Sequence, residues 1–559
     1  MPVRRIFNRL TESVPFQTLS EQLSQRSESL KLRGLPGSLT ACAIAQAAKH
    51  LTHPVLVVCS DADRAENLRD DLEKILDDQH VGMFPTLDMS PYDRRSPHLD
   101  VVGLRIEALD LLTRDEPGVI VAPLEALLFP TLSPEIFALA IREIKVGQEH
   151  SMQELSDHLS ELGYERVVSV DGVGQFSVRG GILDFCSFGN DHPVRLEFWA
   201  DEVTSIRGFD LTTQRSVEEL AQVRILPCRE CVLVHTLADL YDENITAFEK
   251  TQSIDLELLR ENLIDYGAFD GIESYLSILY GKTARLLNFV QKESYLFVDD
   301  PASLERLGEE TVEKLQKTFE RQKPKRGEPE LLPPKHICDV PEETMTRVST
   351  LSRIENHALG ERDGSIDFKG ITGRRYEGHL PVLQEDLVRL WRENFDQVLL
   401  CESPGQKARM EELLVDCPAP LSIEVGTLQG GFVFPEGRVA VYNDHEIYSR
   451  NRRQRRYRRF KDGSPIKSIT ALTKGDFVVH VDHGIGKYLG LERLSVDGIA
   501  RDCLTLSYRE DDKVFVPIEQ MDRVQKYSSE EGAAPILNKL GTGTWERVKE
   551  KTRKEIFKM

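Results

Sequence analysis

Long apolar runs are missing from this 559-residue sequence. None approaches the roughly 20 residues that a membrane-spanning helix requires, and the N-terminus, MPVRRIFNRLTESVPF, has no signal-peptide core. A cytoplasmic protein with no membrane partner is the expectation. Cysteine is sparse as well: nine are scattered along the chain, which excludes a disulfide framework and favours reduced thiols. The one tight pair is Cys228-Arg-Glu-Cys231, with His235 four residues beyond. A lone C-x-x-C lacks the second pair that completes a tetrahedral zinc site, so buried or idle thiols and no metal are expected there. Positive charge is short overall, with 71 Lys and Arg against 92 Asp and Glu and a net charge of −21. That excludes a chain coated in DNA-binding surface, because backbone contacts depend on clustered bases. A protein partner, or a very local nucleic-acid contact, fits better. The local exception is RNRRQRRYRRFK at 450–461, eight bases without an acid, in which Arg452, Arg455, Arg456 and Arg459 share a helical face.

What is present is enough sequence for several domains, about four. Residues 1–140 and 222–320 read as one α/β fold. Val55-Leu56-Val57-Val58-Cys59 is wholly apolar, as a strand buried on both faces should be, and Ser60 or Asp61 caps a helix striped with Leu68, Leu72, Ile75 and Leu76. Val119–Ala122 and Tyr295–Val298 look like further strands of a parallel sheet with right-handed crossovers. Residues 141–221 interrupt it with alternating patterns. Val194, Leu196 and Phe198 interleave with Arg195, Glu197 and Trp199, marking an antiparallel β-rich insertion with one exposed face. Residues 321–344 read as a Pro- and charge-rich linker, 345–448 as a second small α/β domain with a strand at 397–401, and 449–471 as a basic linker. Short alternating strands in 472–545 suggest an SH3- or Tudor-like barrel. Residues 546–559 begin a helix that stops without a Gly or Asn cap, which reads as an imposed boundary.

One loop has the outline of a nucleotide site without its chemistry. Laid over G-x-x-G-x-G-K-T, the stretch LRGLPGSLTACAIAQ at 32–46 supplies Gly34, Gly37 and Ser38. Leu39 then stands where a glycine belongs, Thr40 replaces the phosphate-binding Lys, and Ala41 replaces the magnesium-binding hydroxyl. Neither a G-K-[ST] nor a D-E-x-H box is read elsewhere, so an active nucleotide-dependent helicase, the competing reading, is not expected of these residues.

Two sets of motifs carry a resemblance. LTKGDFVVHVDHGIGKYLG (472–490), LTLSYREDDKVFVPIEQMDRVQKY (504–527) and LNKLGTGTW (537–545) resemble the bacterial transcription-repair coupling factors, the Mfd family. PYDRRSPHLDVVGLRIEAL (91–109) and FSVRGGILDFCSFGNDHPVRLEFWADEVTSIRGFD (176–210) are similar to the repair protein UvrB. The resemblance implies a UvrB-like fold with a degenerate ATP loop and an inserted UvrA-docking domain. It also implies a CarD-like barrel that binds the RNA polymerase β subunit, ahead of an ATP- and magnesium-dependent motor that acts on double-stranded DNA. It places Arg166, Arg179 and Phe185 at the UvrA surface and Leu491, Arg493 and Leu494 at the polymerase surface, with no cofactor in this chain. His480 and His483, in HVDHG, read as turn or packing residues.

Overall fold

The computed structural model describes residues 2–448 apart from 77–79, 93–94, 115, 212, 234–237, 253, 282–283, 323–329 and 358–363; beyond these it describes 474–475, 477–480, 484–496, 499–509, 512–517, 524–526 and 537. The chain divides into two compact units, 1–459 and 460–559.

The first unit opens with two helices, Pro2–Thr11 and Val14–Ser24, followed by β1 (Ser29–Arg33), the loop 34–38 and the Leu39–His50 helix. After β2 (Val55–Cys59), Asp61 caps the Ala62–Ile75 helix by accepting from the Arg64 N–H at 2.9 Å, and Leu68, Leu72 and Ile75 are buried along it. Strand β3 (His80–Met83), the Leu99–Leu112 helix and β4 (Gly118–Pro123) complete this run.

After two short helices, Leu124–Leu128 and Pro134–Ala140, comes the insertion. Strand β5 (Arg142–Lys145) leads to the Met152–Glu161 helix and to β6 (Glu165–Arg166), β7 (Gln175–Arg179), β8 (Ile182–Phe185), β9 (Val194–Trp199), β10 (Glu202–Phe209) and β11 (Ser216–Glu219). The last six form one sheet in reverse order, β11-β10-β9-β8-β7-β6. The chain leaves along β12 (Gln222–Ile225), which pairs antiparallel with β5, so the inserted body closes four residues beyond the expected 221. Entry and exit strands held side by side let the host fold close around the insertion.

Strand β13 (Tyr295–Asp299), fully buried, then returns to the first sheet, followed by the Pro301–Arg321 helix. The next two strands correct the expected boundaries. β14 (Arg353–His357) and β15 (Ile366–Asp367) lie in the first sheet, whose order is β15-β1-β14-β13-β2-β4-β3 with every pair parallel. The stretch expected as linker is also partly core. Leu332, Ile337 and Cys338 are buried with the first domain's helices, as is Val348 just beyond that stretch. Prolines there start short helices, Pro334–Ile337 and Pro341–Ser349.

A five-stranded sheet follows, built from β16 (Ile371–Thr372), β17 (Asp396–Cys401), β18 (Ser422–Val425), β19 (Phe432–Phe434) and β20 (Val439–Asn443) in the order β16-β19-β20-β17-β18. Alternation along β17 divides its burial. Val398 and Leu400 share a core with Phe16, Leu39 and Phe368 of the first domain, whereas Leu399 and Cys401 pack with the Leu380–Arg392 and Pro404–Leu413 helices.

The second unit is a five-stranded antiparallel sheet of β21 (Phe477–His480), β22 (Gly484–Val496), β23 (Ile499–Ser507), β24 (Lys513–Pro517) and β25 (Val524–Lys526), ordered β24-β23-β22-β21-β25. Val478, Tyr488, Leu504, Leu506, Tyr508, Val516 and Val524 form its core.

Candidate functional site

The loop after β1, which the sequence offers as a degenerate nucleotide loop, is packed against protein on its inner side. Gly34 and Gly37 have φ of +74° and +54°, the left-handed values that favour glycine. A Cβ on Gly37 would lie 2.8 Å from the carbonyl oxygens of both Gly430 and Gly431, so the loop 428–431 sits hard against it. The Ser38 N–H donates to the Gly430 carbonyl at 3.0 Å, and the Gly430 N–H donates back to Ser38 Oγ at 3.0 Å. Ser38 Oγ in turn donates to Asp71 Oδ2 at 2.6 Å, while the Gln429 N–H donates to Asp71 Oδ1 at 2.9 Å. Donors that would cradle a phosphate are thus spent on a loop of the second α/β domain.

An arginine lies beside this loop. Thr40 is fully buried and donates through Oγ1 to the Leu35 carbonyl at 2.7 Å. Arg64 reaches in from the neighbouring helix, donating from Nε to Asp299 Oδ2 at 2.8 Å and from a terminal nitrogen to Thr40 Oγ1 at 3.3 Å. Asn356 Nδ2 donates to the other Asp299 oxygen at 2.7 Å. In a working phosphate loop, lysine and magnesium lie between the loop and an acid of this kind at a strand end. Here one guanidinium neutralises that acid, and Leu39 and Ala41 are buried. Sequence reasoning missed Arg64, Asp299 and Asn356, although the apolar run Tyr295–Val298 ending in two acids was a usable signal. The chain does contain the tripeptide Gly281-Lys282-Thr283, which the motif reading passed over. It follows the Leu276–Leu279 helix rather than a strand, has Leu276 where a P-loop places its first glycine, and Lys282 and Thr283 lie outside the described residues.

The C-x-x-C lies in the protein interior. Both thiols are buried, and burial pushes each well above the ordinary cysteine range. Between them Glu230 is clasped by Arg105, whose second terminal nitrogen donates to Glu230 Oε2 at 2.9 Å and whose first donates to the Pro85 carbonyl at 2.7 Å. Both side chains are 1% exposed, and the guanidinium stacks 3.9 Å from the Phe84 ring centroid. His235 lies outside the described residues. Beside this pair, burial pushes the Glu273 carboxyl up to about 7, helped by the Glu230 charge, and its Oε2 is buried with no hydrogen-bond partner. Among the described residues no group of three His, Cys, Asp or Glu could hold a metal ion.

The three residues expected at the insertion's docking face do not share one. Phe185 is fully buried opposite Val194 and Phe176, in the core beneath the sheet, and this corrects its expected exposure. Side chains alternate along β7, so Phe176 and Arg179 belong to opposite sides. Arg166 pairs with Phe176 on the two-residue edge strand β6, away from Arg179. Arg179 is half exposed and donates to Asp184 Oδ2 at 3.0 Å, while Arg195 grips the same buried carboxylate through Nε at 2.7 Å and a terminal nitrogen at 2.8 Å.

In the second unit, β21 pairs with Gly484–Lys487 alone, so among the described residues the far half of β22 is hydrogen-bonded only to β23. A register shift at Leu489, with Gly490 at φ +130°, marks where the strand leaves β21 behind. Leu491 is 42% exposed on this stretch. Arg493 and Leu494 lie on the same strand, opposite Asp502 and Arg501. His480 is buried at the end of β21. His483, Arg452, Arg455, Arg456, Arg459 and the helix expected after 545 lie outside the described residues.

Two family models match the chain: the UvrB interaction domain over residues 143–230 and the CarD-like/TRCF RID domain over residues 472–528. The chain is also similar to transcription-repair-coupling factors along nearly its whole length. With that of Bacillus subtilis strain 168 it is 28% identical, covering 98% of this chain and 49% of the relative. With that of Staphylococcus epidermidis ATCC 35984 it is 27% identical, covering 99% and 49%, and with that of Staphylococcus aureus MRSA252 27%, covering 98% and 49%. The chain spans about half the length of the curated relatives it matches. These matches bear out the resemblance read from residues 91–210 and 472–545.

Proposed function

We propose that this chain is a recruitment platform of transcription-coupled DNA repair, docking on RNA polymerase through the 477–526 sheet and recruiting UvrA through the 142–225 insertion. One observation carries this reading. Within a single chain, a UvrB-type insertion and a CarD-type sheet accompany a phosphate loop whose interior is taken by Ser38, Asp71, Gly430 and Arg64. The fold retained around that loop then serves as the scaffold of the insertion. ATP and magnesium, and translocation along double-stranded DNA, are assigned to the half of the relatives that this chain does not span.

The polymerase contact is assigned to the far half of β22, where an edge with free N–H and C=O groups invites a strand of the β subunit. Leu491 and Leu494, three residues apart, alternate onto opposite sides of the strand, and each is a candidate anchor. The CarD-like sheet is taken to curl into an SH3- or Tudor-like barrel around Leu504 and Leu506. Pull-down of RNA polymerase by Leu491→Arg and Leu494→Arg variants tests the edge. Loss of binding by either variant with an unchanged melting curve is expected; full binding by both, with the fold intact, overturns the assignment. The purified chain is also expected to hydrolyse no ATP above background, and micromolar ATP affinity in calorimetry would contradict the filled loop.

A further inference from the structure

The insertion's open sheet face lacks the aromatic anchor expected of Phe185 and carries another. Trp199, at the end of β9, is 78% exposed. Register places it on the same side as Arg179: Arg179 pairs with Ile182, Ile182 pairs with Glu197, and Trp199 stands two residues beyond Glu197. The turn between Arg179 and Ile182 is Gly180-Gly181, and a Cβ on Gly180 would meet nothing within 4 Å, so the side of the indole facing the turn is uncovered. Leaving a tryptophan out costs hydrophobic stabilisation, and exposed tryptophan and arginine together are the composition of protein-binding hot spots.

The charges around the indole are sorted. Asp184 is already satisfied by the two-pronged grip of Arg195, so Arg179 adds a second guanidinium to one carboxylate and leaves one positive charge in surplus. Glu197 is spent on Ser205 at 2.8 Å and Arg207 at 3.4 Å. On the other flank Trp199 pairs across the hairpin with the exposed Glu202. This side of the sheet therefore carries the exposed indole with Glu202 directly across the hairpin, and the half-exposed Arg179 two strands away, drawn toward Asp184.

We infer that Trp199, with Glu202 across the hairpin and Arg179 on the same side of the sheet, is the anchor of the insertion's protein-docking face. Its occupant is a protein surface with an apolar socket, a carboxylate on the side of Arg179 and a cation on the side of Glu202. The inference rests on the proposed UvrA-recruiting role, and UvrA is the probe. Binding of purified UvrA is measured for the intact chain and for Trp199→Ala and Arg179→Glu, with melting curves for each. Both variants are expected to weaken binding about thirty-fold or more, Trp199→Ala without lowering the melting temperature. If the unaltered chain does not bind UvrA, the recruitment reading fails. If it binds and well-folded Trp199→Ala binds equally well, the anchor is wrong and recruitment stands. Should Trp199→Ala instead abolish self-association seen by sedimentation and leave UvrA binding intact, the face belongs to a second copy and the proposal is overturned. Should Trp199→Ala fail to fold, Trp199→Gln and Arg179→Glu carry the same test.

Discussion

Arg105 and Glu230 illustrate what a buried pair demands of single residues. Each is 1% exposed, so neither can be removed without stranding the other's charge. Arg105→Met is expected to cost on the order of 3–5 kcal/mol in urea denaturation, and Arg105→Met with Glu230→Gln to regain much of it. Glu273, nearby, is poised differently. Burial raises its carboxyl to about 7, above the ordinary value near 4.5, so the folded form holds a proton that the unfolded chain releases. Its contribution is fully present below about pH 4.5 and is lost as pH rises through about 7. Glu273→Gln should therefore stabilise the protein above neutrality, on the order of 1–3 kcal/mol, and make little difference at pH 4.5. Melting curves at the two pH values check this, and an equal effect at both contradicts it.

Among elements, the Met152–Glu161 helix and the loop 34–38 hold their surroundings in contrasting ways. His158 on that helix is buried and donates through Nε2 to the Ala140 carbonyl at 3.0 Å. Burial, with Arg142 adding to it, lowers its pKa to about 4. The unfolded chain gains a proton below about pH 6.5 that the folded helix refuses, so this stability is present above 6.5 and lost as pH falls toward 4. Faster hydrogen exchange in residues 142–162 at pH 5 than at pH 7, after correction for intrinsic rates, is the expected result. The loop, for its part, is not restored by restoring its letters. Thr40→Lys with Ala41→Ser is expected to bind no ATP, because Gly430, Gly431 and Arg64 still occupy the cradle. Nucleotide binding by that variant would show that the two letters were all that was missing.

Over the whole first unit, the two α/β sheets are not separable beads. Val398, Leu400, Phe432 and Phe434 of the second sheet share a core with Phe16, Leu39 and Phe368 of the first, and the Phe16 ring meets Phe368 at 5.0 Å and Phe434 at 5.9 Å between centroids. A chain of residues 1–368 alone would expose that apolar layer. It is expected to express as aggregate, whereas 1–448 stays monodisperse in size-exclusion chromatography.

Strand and helix positions followed from sequence wherever one local rule sufficed: the wholly apolar Val55–Cys59, a cap at Ser60 or Asp61, of which the structure uses Asp61, and the alternation from Val194 to Trp199, which already set Trp199 apart from Phe198. Leu39, Thr40 and Ala41 were legible as the letters in which this loop departs from a nucleotide-binding motif. Burial of Phe185 did not follow, because a strand's period of two tells which residues share a side without telling which side is covered. Nor did the membership of β14 and β15 in the first sheet, since parallel pairing joins strands hundreds of residues apart and leaves no local trace. What fills the phosphate loop was beyond local reading for the same reason: Ser38 meets Gly430 across 392 residues of sequence, and only the packing of two sheets on one core brings them together.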